Sequence, residues 1–159
     1  MMITVLIIIM TYFTLFFFLP LIFLPGFIGE RKLEKNKKLF SLVKKLKGKS
    51  KEETLKKVFN FVQKNFSSER IFLLIYLHKH FYKRVTKLIN KKQFLPCHVQ
   101  SLVLVTLLEN TGQFTNKDFI RKTGMSIYGF IHQYYLVKIR NKTFKADPFY
   151  NILKRLQTS

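Results

Sequence analysis

Cysteine occurs once, at Cys97, and tryptophan is absent. A lone thiol excludes an intramolecular disulfide and favours a reducing compartment for the globular part. Acidic side chains are scarce as well. Eight Asp and Glu stand against 29 Lys and Arg, a formal net charge of +21 at pH 7. Such a field favours an anionic partner: nucleic acid, acidic lipid or an acidic protein. Glycine (6) and proline (4) are sparse. No Gly-rich phosphate loop, internal repeat or low-complexity tract is present, which excludes a phosphate-cradling loop and a repeat architecture. At 159 residues the chain has room for one small domain and an appendage.

Charge is missing altogether from residues 3–28, and the first basic side chain is Arg31. An uncharged, almost wholly apolar stretch of this length predicts a transmembrane helix. It lacks the basic start and small-residue cleavage site of a signal peptide. Pro20 and Pro25 would kink or finish it. The basic flank from Arg31 onwards predicts an N-terminus outside and a domain in the cytoplasm. The expected location is therefore the membrane, single-pass. The same lysines can lie against anionic lipid headgroups, at about 1 kcal/mol each near the surface.

Beyond this stretch the chain is helical at first. Residues 33–47 read as a short basic helix with Leu39, Phe40, Leu42, Val43 and Leu46 on one side, ended by Gly48. Ser50-Lys51-Glu52-Glu53 is a capping-box pattern that starts a second helix bearing Leu55, Val58, Phe59, Val62 and Phe66. A third helix is expected from Ser67 to about Asn90. Its histidines, His78 and His80, stand two apart, so they do not share a helix face and are no metal pair. After Gly112, Thr115-Asn116-Lys117-Asp118 predicts a short helix closed by Gly124. Residues 130–139 and 143–147 read as a hairpin turned at Asn141-Lys142. Asp147-Pro148 predicts a last helix over residues 149–156.

Leu95-Pro96-Cys97 opens the stretch around which the rest is organised. Pro just before a helix and Gly112 just past its end mark a helix over the intervening residues. The thiol then lies at a helix N-terminus, where unpaired N–H groups and the macrodipole favour a thiolate and lower its pKa. Acyl transfer by a thiolate needs a histidine near the sulfur and a group that orients the imidazole. His132 on the first hairpin strand and Asp147 at the end of the second stand 15 residues apart, a spacing that a tight hairpin brings side by side. The bland roles are a small buried cysteine, a core histidine and an aspartate N-cap. Cys97, His98, His132 and Asp147 are zinc-ligand types, but adjacent Cys-His is poor chelate spacing, so no metal is expected.

These residues resemble the Cys-His-Asp triad of the transglutaminase-like superfamily, a branch of the papain-like fold. The family's cysteine opens a helix ending in Leu-Leu-x-x-x-Gly. Here the end is Leu107-Leu108-Glu109-Asn110-Thr111-Gly112. The family's histidine begins a strand of the form His-Ala-Trp-x-Glu, and its aspartate is often followed by proline. Here the strand is His132-Gln133-Tyr134-Tyr135-Leu136 and the end is Asp147-Pro148. Pro96 replaces the family's glycine before the cysteine, and the strand lacks the usual acidic residue.

The expected fold is α+β: the transmembrane helix, then, as the resemblance implies, a papain-like, transglutaminase-like domain with a helical half packed on a small antiparallel sheet. The expected segments are a transmembrane anchor over 1–29, a basic juxtamembrane helix or linker over 30–49, and the domain over 50–159. The implied activity is that of a cysteine peptidase, amidase or acyltransferase with catalytic Cys97, His132 and Asp147. It cleaves a peptide or other amide through a thioester and needs no cofactor. Gln93 is a secondary oxyanion candidate, as upstream glutamines are in papain-like enzymes, beside the backbone N–H of Cys97. The expected partners are membrane lipid and a peptide or protein substrate. Phe81-Tyr82-Lys83-Arg84 interleaves aromatics with basic residues, but no nucleic-acid module is visible, so nucleic acid is not expected. The other class of function is a silent membrane-tethered interaction domain that holds acidic partners through its lysines.

Overall fold

The computed structural model describes residues 2–23, 37–68, 85–89, 92–125 and 131–157. The N-terminal helix α1 is Met2–Phe23, with side chains described over 3–14. Among the described residues no helix is long and apolar enough to cross a membrane. This finding corrects the transmembrane anchor over 1–29 and the single-pass membrane location.

The fold is α+β. Helices α2 (Lys37–Leu46), α3 (Lys51–Asn65), α4 (Val85–Leu88) and α5 (Cys97–Asn110) form the helical part. Strands β1 (Phe66–Ser67) and β2 (Gln93–Phe94) make a small parallel pair. A four-stranded antiparallel sheet comes next in chain order: β3 (Phe119–Met125), β4 (Ile131–Ile139), β5 (Lys142–Asp147) and β6 (Ile152–Leu156).

Helix α3 starts where its cap predicts. Ser50 Oγ accepts the Glu53 N–H at 3.1 Å, and the Glu53 carboxylate accepts the Lys49 N–H at 2.7 Å. Helix α5 is buried nearly all round and is the centre of the core. Val99, Val103, Leu104, Leu107 and Leu108 pack with Leu39 and Val43 of α2, Leu55, Val58 and Val62 of α3, and Val137 and Ala146 of the sheet. Each of these Val and Leu side chains contributes about 1.5–3 kcal/mol by leaving water. The basic helix α2 thus lays its apolar stripe into the same core, with its lysines outward.

Two expected helices are absent because strand pairing claims their residues. The capping box at Thr115 is real, with Thr115 N–H donating to Asp118 Oδ2 at 2.7 Å. It opens only one 3₁₀ turn, Asn116–Asp118. The chain then runs straight into β3, which pairs with β4 from Phe119↔Val137 to Met125↔Ile131, with Gly124 inside the strand. After Asp147-Pro148 the chain makes a turn and returns as β6, paired with β5 from Asp147↔Ile152 to Thr143↔Leu156. The expected helix over 149–156 is therefore a strand. Pairing along a whole sheet edge outweighs a local capping signal. The third expected helix, with His78 and His80, falls mostly outside the described residues, and so does Phe81-Tyr82-Lys83-Arg84.

The hairpin β4–β5 is closed by Arg140 and Asn141 between the paired residues Ile139 and Lys142. Arg140 takes φ 53° to make this tight turn. Alternation along β4 sends Gln133, Tyr135, Val137 and Ile139 to the buried face. His132, Tyr134, Leu136 and Lys138 point to the outer face.

Candidate active site

Pro148 has no N–H to give a sheet ladder, so β5 stops at Asp147. Strand β4 continues past that end. Its edge over residues 131–133 would otherwise offer unpaired backbone groups. The first turns of α5 occupy this edge instead. Cys97 Sγ lies 3.9 Å from the Ile131 carbonyl oxygen, and the Gln133 N–H points at the sulfur. One turn on, Ser101 Oγ donates to the Gln133 carbonyl at 3.2 Å. The helix start is thereby docked beside the residue that lies between those groups, His132.

The imidazole is fixed by what surrounds it. His132 Nε2 lies 2.8 Å from Asp147 Oδ2, and the Asp147 side chain is fully buried. With the carboxylate ionised, Nε2–H donates and Nδ1 keeps its lone pair. Tyr150 packs on the ring at 4.5 Å between centroids, and Phe149 at 5.9 Å. Phe149 also packs with Phe94 and Cys97 in one apolar cluster. The thiol and the imidazole therefore share one aromatic cover. The second carboxylate oxygen, Asp147 Oδ1, accepts the Tyr150 N–H at 3.3 Å and so shapes the turn that carries this cover. Lys145 Nζ stands 3.9 Å from Oδ2. From the helical side, Gln63 Nε2 donates to the Pro148 carbonyl.

The chain matches no protein-family model, no curated protein and no solved structure. What the site can do is read from its own geometry.

The thiol departs from expectation. Burial pushes Cys97 up from an ordinary 9.0 to about 11, against the lowering effect of the N–H groups of Gln133, His98 and Cys97; the Asp147 charge adds to the rise. A helix N-terminus is worth roughly 0.3–1 kcal/mol to an anion, up to about 2 in buried settings. Removing the thiolate from water costs more here. The resting group is a neutral thiol, only 6% exposed.

Of the residues singled out in the sequence, the fold brings His132 and Asp147 into contact and sets Cys97 against the backbone on either side of His132. Gln93 is placed differently. Its Nε2 is turned to the Leu88 carbonyl oxygen at 3.4 Å. It lines a groove of about 350 Å3 together with Gln63, Phe66 and Phe94. That groove shares Phe94 with the Cys97 cluster and Gln63 with the Pro148 turn.

Sequence reasoning misses three contributors. Gln133 supplies a backbone N–H to the sulfur. Gln100 Nε2 donates to the carbonyls of Leu95 at 2.9 Å and Ser67 at 3.0 Å, tying the loop before Cys97 to β1. Tyr150 covers the imidazole. Strand alternation could have flagged Gln133 alone, as a polar residue at an inward position. Among the described residues no group of three His, Cys, Asp or Glu could hold a metal ion.

Proposed function

We propose that this domain is a transglutaminase-like cysteine hydrolase or acyltransferase that uses Cys97, His132 and Asp147. The observation that supports it is the buried 2.8 Å contact between His132 Nε2 and Asp147 Oδ2 beside the lone thiol. Asp147 holds the imidazole in the tautomer whose Nδ1 is basic, and stabilises the imidazolium. Because the thiol rests neutral, activation is by general base. Nδ1 takes the S–H proton as sulfur attacks the acyl carbon of an amide. The C–S bond forms, and the tetrahedral adduct collapses with loss of the C–N bond. The imidazolium gives its proton to the departing amine and leaves a thioester. Water, or a second amine, then attacks the thioester with His132 again as base. The sulfur leaves and is reprotonated. Proton transfer of this kind contributes about 10²–10⁴-fold.

A second reading, a catalytically silent domain that holds acidic partners through its lysines, is favoured by the same buried thiol at about 11. An activated acyl ester separates the two. The full chain incubated with a p-nitrophenyl acyl ester is followed by intact mass and peptide mapping. The expected result is a hydroxylamine-labile acyl group on Cys97. It forms about 100-fold more slowly in folded His132→Ala. No adduct in the wild type, or an unchanged rate in His132→Ala, overturns the enzymatic reading.

A further inference from the structure

We infer that the outer face of the four-stranded sheet is the docking surface for an acidic peptide, which is the acyl donor of the site. The inference rests on the proposed acyl-transfer reading and names its substrate class.

The strand registers set one row across the whole sheet: Ile120↔Leu136, Leu136↔Lys145 and Lys145↔Lys154. By alternation, Lys122 and Lys138 lie on the same face in the flanking rows, and so do His132 and Asp147. The face is thus a lysine field that ends at the site. Lys122, Lys138 and Lys154 are exposed.

Three acidic side chains elsewhere are paired with lysines. Glu52 pairs with Lys142 at 2.8 Å, Glu53 with Lys57 at 2.8 Å and Asp118 with Lys51 at 3.1 Å. Asp147, the acidic residue on this face among the described residues, is buried against His132. Among the described residues, Lys122, Lys138 and Lys154 have no acidic partner. Lys145 and Lys154 stand directly opposite each other, and like charges in that relation destabilise a sheet. An incoming anion relieves this repulsion.

The apolar content of the face decides between anions. Ile120 and Leu136 are partly exposed aliphatics between the lysines. A single-stranded nucleic acid wants open aromatic rings for its bases. The ring that the strands place on this face, Tyr134, is capped by Lys145 Nζ at 4.3 Å from its centroid, and the Tyr150 ring packs on His132. Aliphatic and acidic side chains of a peptide fit both features. A peptide lying along β4 toward its N-terminal end is led to His132 and the end of β5, where the thiol sits.

The test measures fluorescence anisotropy on the full chain carrying Cys97→Ala. Three probes are used: a peptide alternating Glu with Val, the same peptide with Gln for Glu, and a single-stranded oligonucleotide of equal charge. The variant K122Q/K138Q/K154Q spares Lys145, which touches Asp147. The control K44Q/K45Q/K47Q removes equal charge from the exposed C-terminal end of α2 and the residue after it. The expected result is binding of the acidic peptide over the Gln peptide, weakened about tenfold by the sheet variant and much less by the α2 control.

Equal losses in the two variants would mean unspecific charge attraction and overturn the proposal. Tighter oligonucleotide binding, lost in the sheet variant, overturns it in favour of nucleic acid. The acyl-ester assay needs no sheet face, so the two ideas fail separately. Acylation of Cys97 without peptide selectivity removes this proposal alone. Selective peptide binding without acylation removes the enzymatic reading and leaves a peptide-docking face.

Discussion

Asp147 reaches His132 across the hairpin with one carboxylate oxygen and holds the Tyr150 backbone N–H with the other. One side chain therefore orients the imidazole and also folds the turn that covers it. Asp147→Asn keeps the shape but presents an amide to Nε2. The expected outcome is a fall of about 10²–10⁴-fold in ester-driven acylation of Cys97. Urea unfolding is expected to show a loss of about 1–3 kcal/mol, the cost of weakened bonds to a buried polar group. A catalytic loss with unchanged stability would separate the two roles.

The raised thiol pKa makes a prediction with a definite sign. In the folded protein Cys97 keeps its proton up to about 11, whereas its ordinary value is 9.0. Below the ordinary value both states hold the proton, and the contribution to stability is complete. Between the two values the unfolded chain loses the proton and the folded one does not. Stability therefore falls as pH rises across that window, by roughly 3 kcal/mol in all. Cys97→Ala has no such group. The difference in urea midpoint between wild type and Cys97→Ala is expected to shrink or reverse between about pH 8 and about pH 10.5. A constant difference would mean that the thiol is not held neutral by burial.

Gln100 is fully buried and anchors the loop that precedes Cys97. Gln100→Leu fills similar space but leaves the carbonyls of Leu95 and Ser67 short of a donor. A loss of about 1–3 kcal/mol is expected. Because this loop positions Cys97, acylation is expected to slow more than stability alone explains. The check is the acylation rate at a temperature where the variant is fully folded by circular dichroism.

The sequence was most legible where local chemistry and tertiary pairing agree. Ser50 and Glu53 form the cap expected of them. Pro96 and Gly112 bound α5, and Gly112 carries the positive φ, 72°, expected past a helix end. The 15-residue spacing from His132 to Asp147 placed these two residues side by side. Legibility failed where a neighbouring strand outbid a local signal. Thr115 caps one turn, yet residues 119–125 serve β4. Asp147 does hold the N–H three residues on, as a cap would, but β5 draws residues 152–156 into the sheet. The thiol pKa was misread because a helix start is a local feature, whereas burial depends on Phe94 and Phe149, which arrive from either side. Composition over residues 3–28 reads as a membrane span, whereas among the described residues no helix is long and apolar enough to cross a membrane.

The tight turn at Arg140 and Asn141 also has a bearing on the site, although it lies at the opposite end of the hairpin. Side chains alternate faces along a strand, so the loop acts as a ruler. One residue inserted there, if the new register propagated down β5, would carry Asp147 to the core face and leave His132 without its carboxylate. The hairpin could still pair, and the sheet would look much the same from its backbone. The loop is therefore expected to be as intolerant of length changes as the His132–Asp147 pair is of substitution, for a reason that is geometric and not chemical.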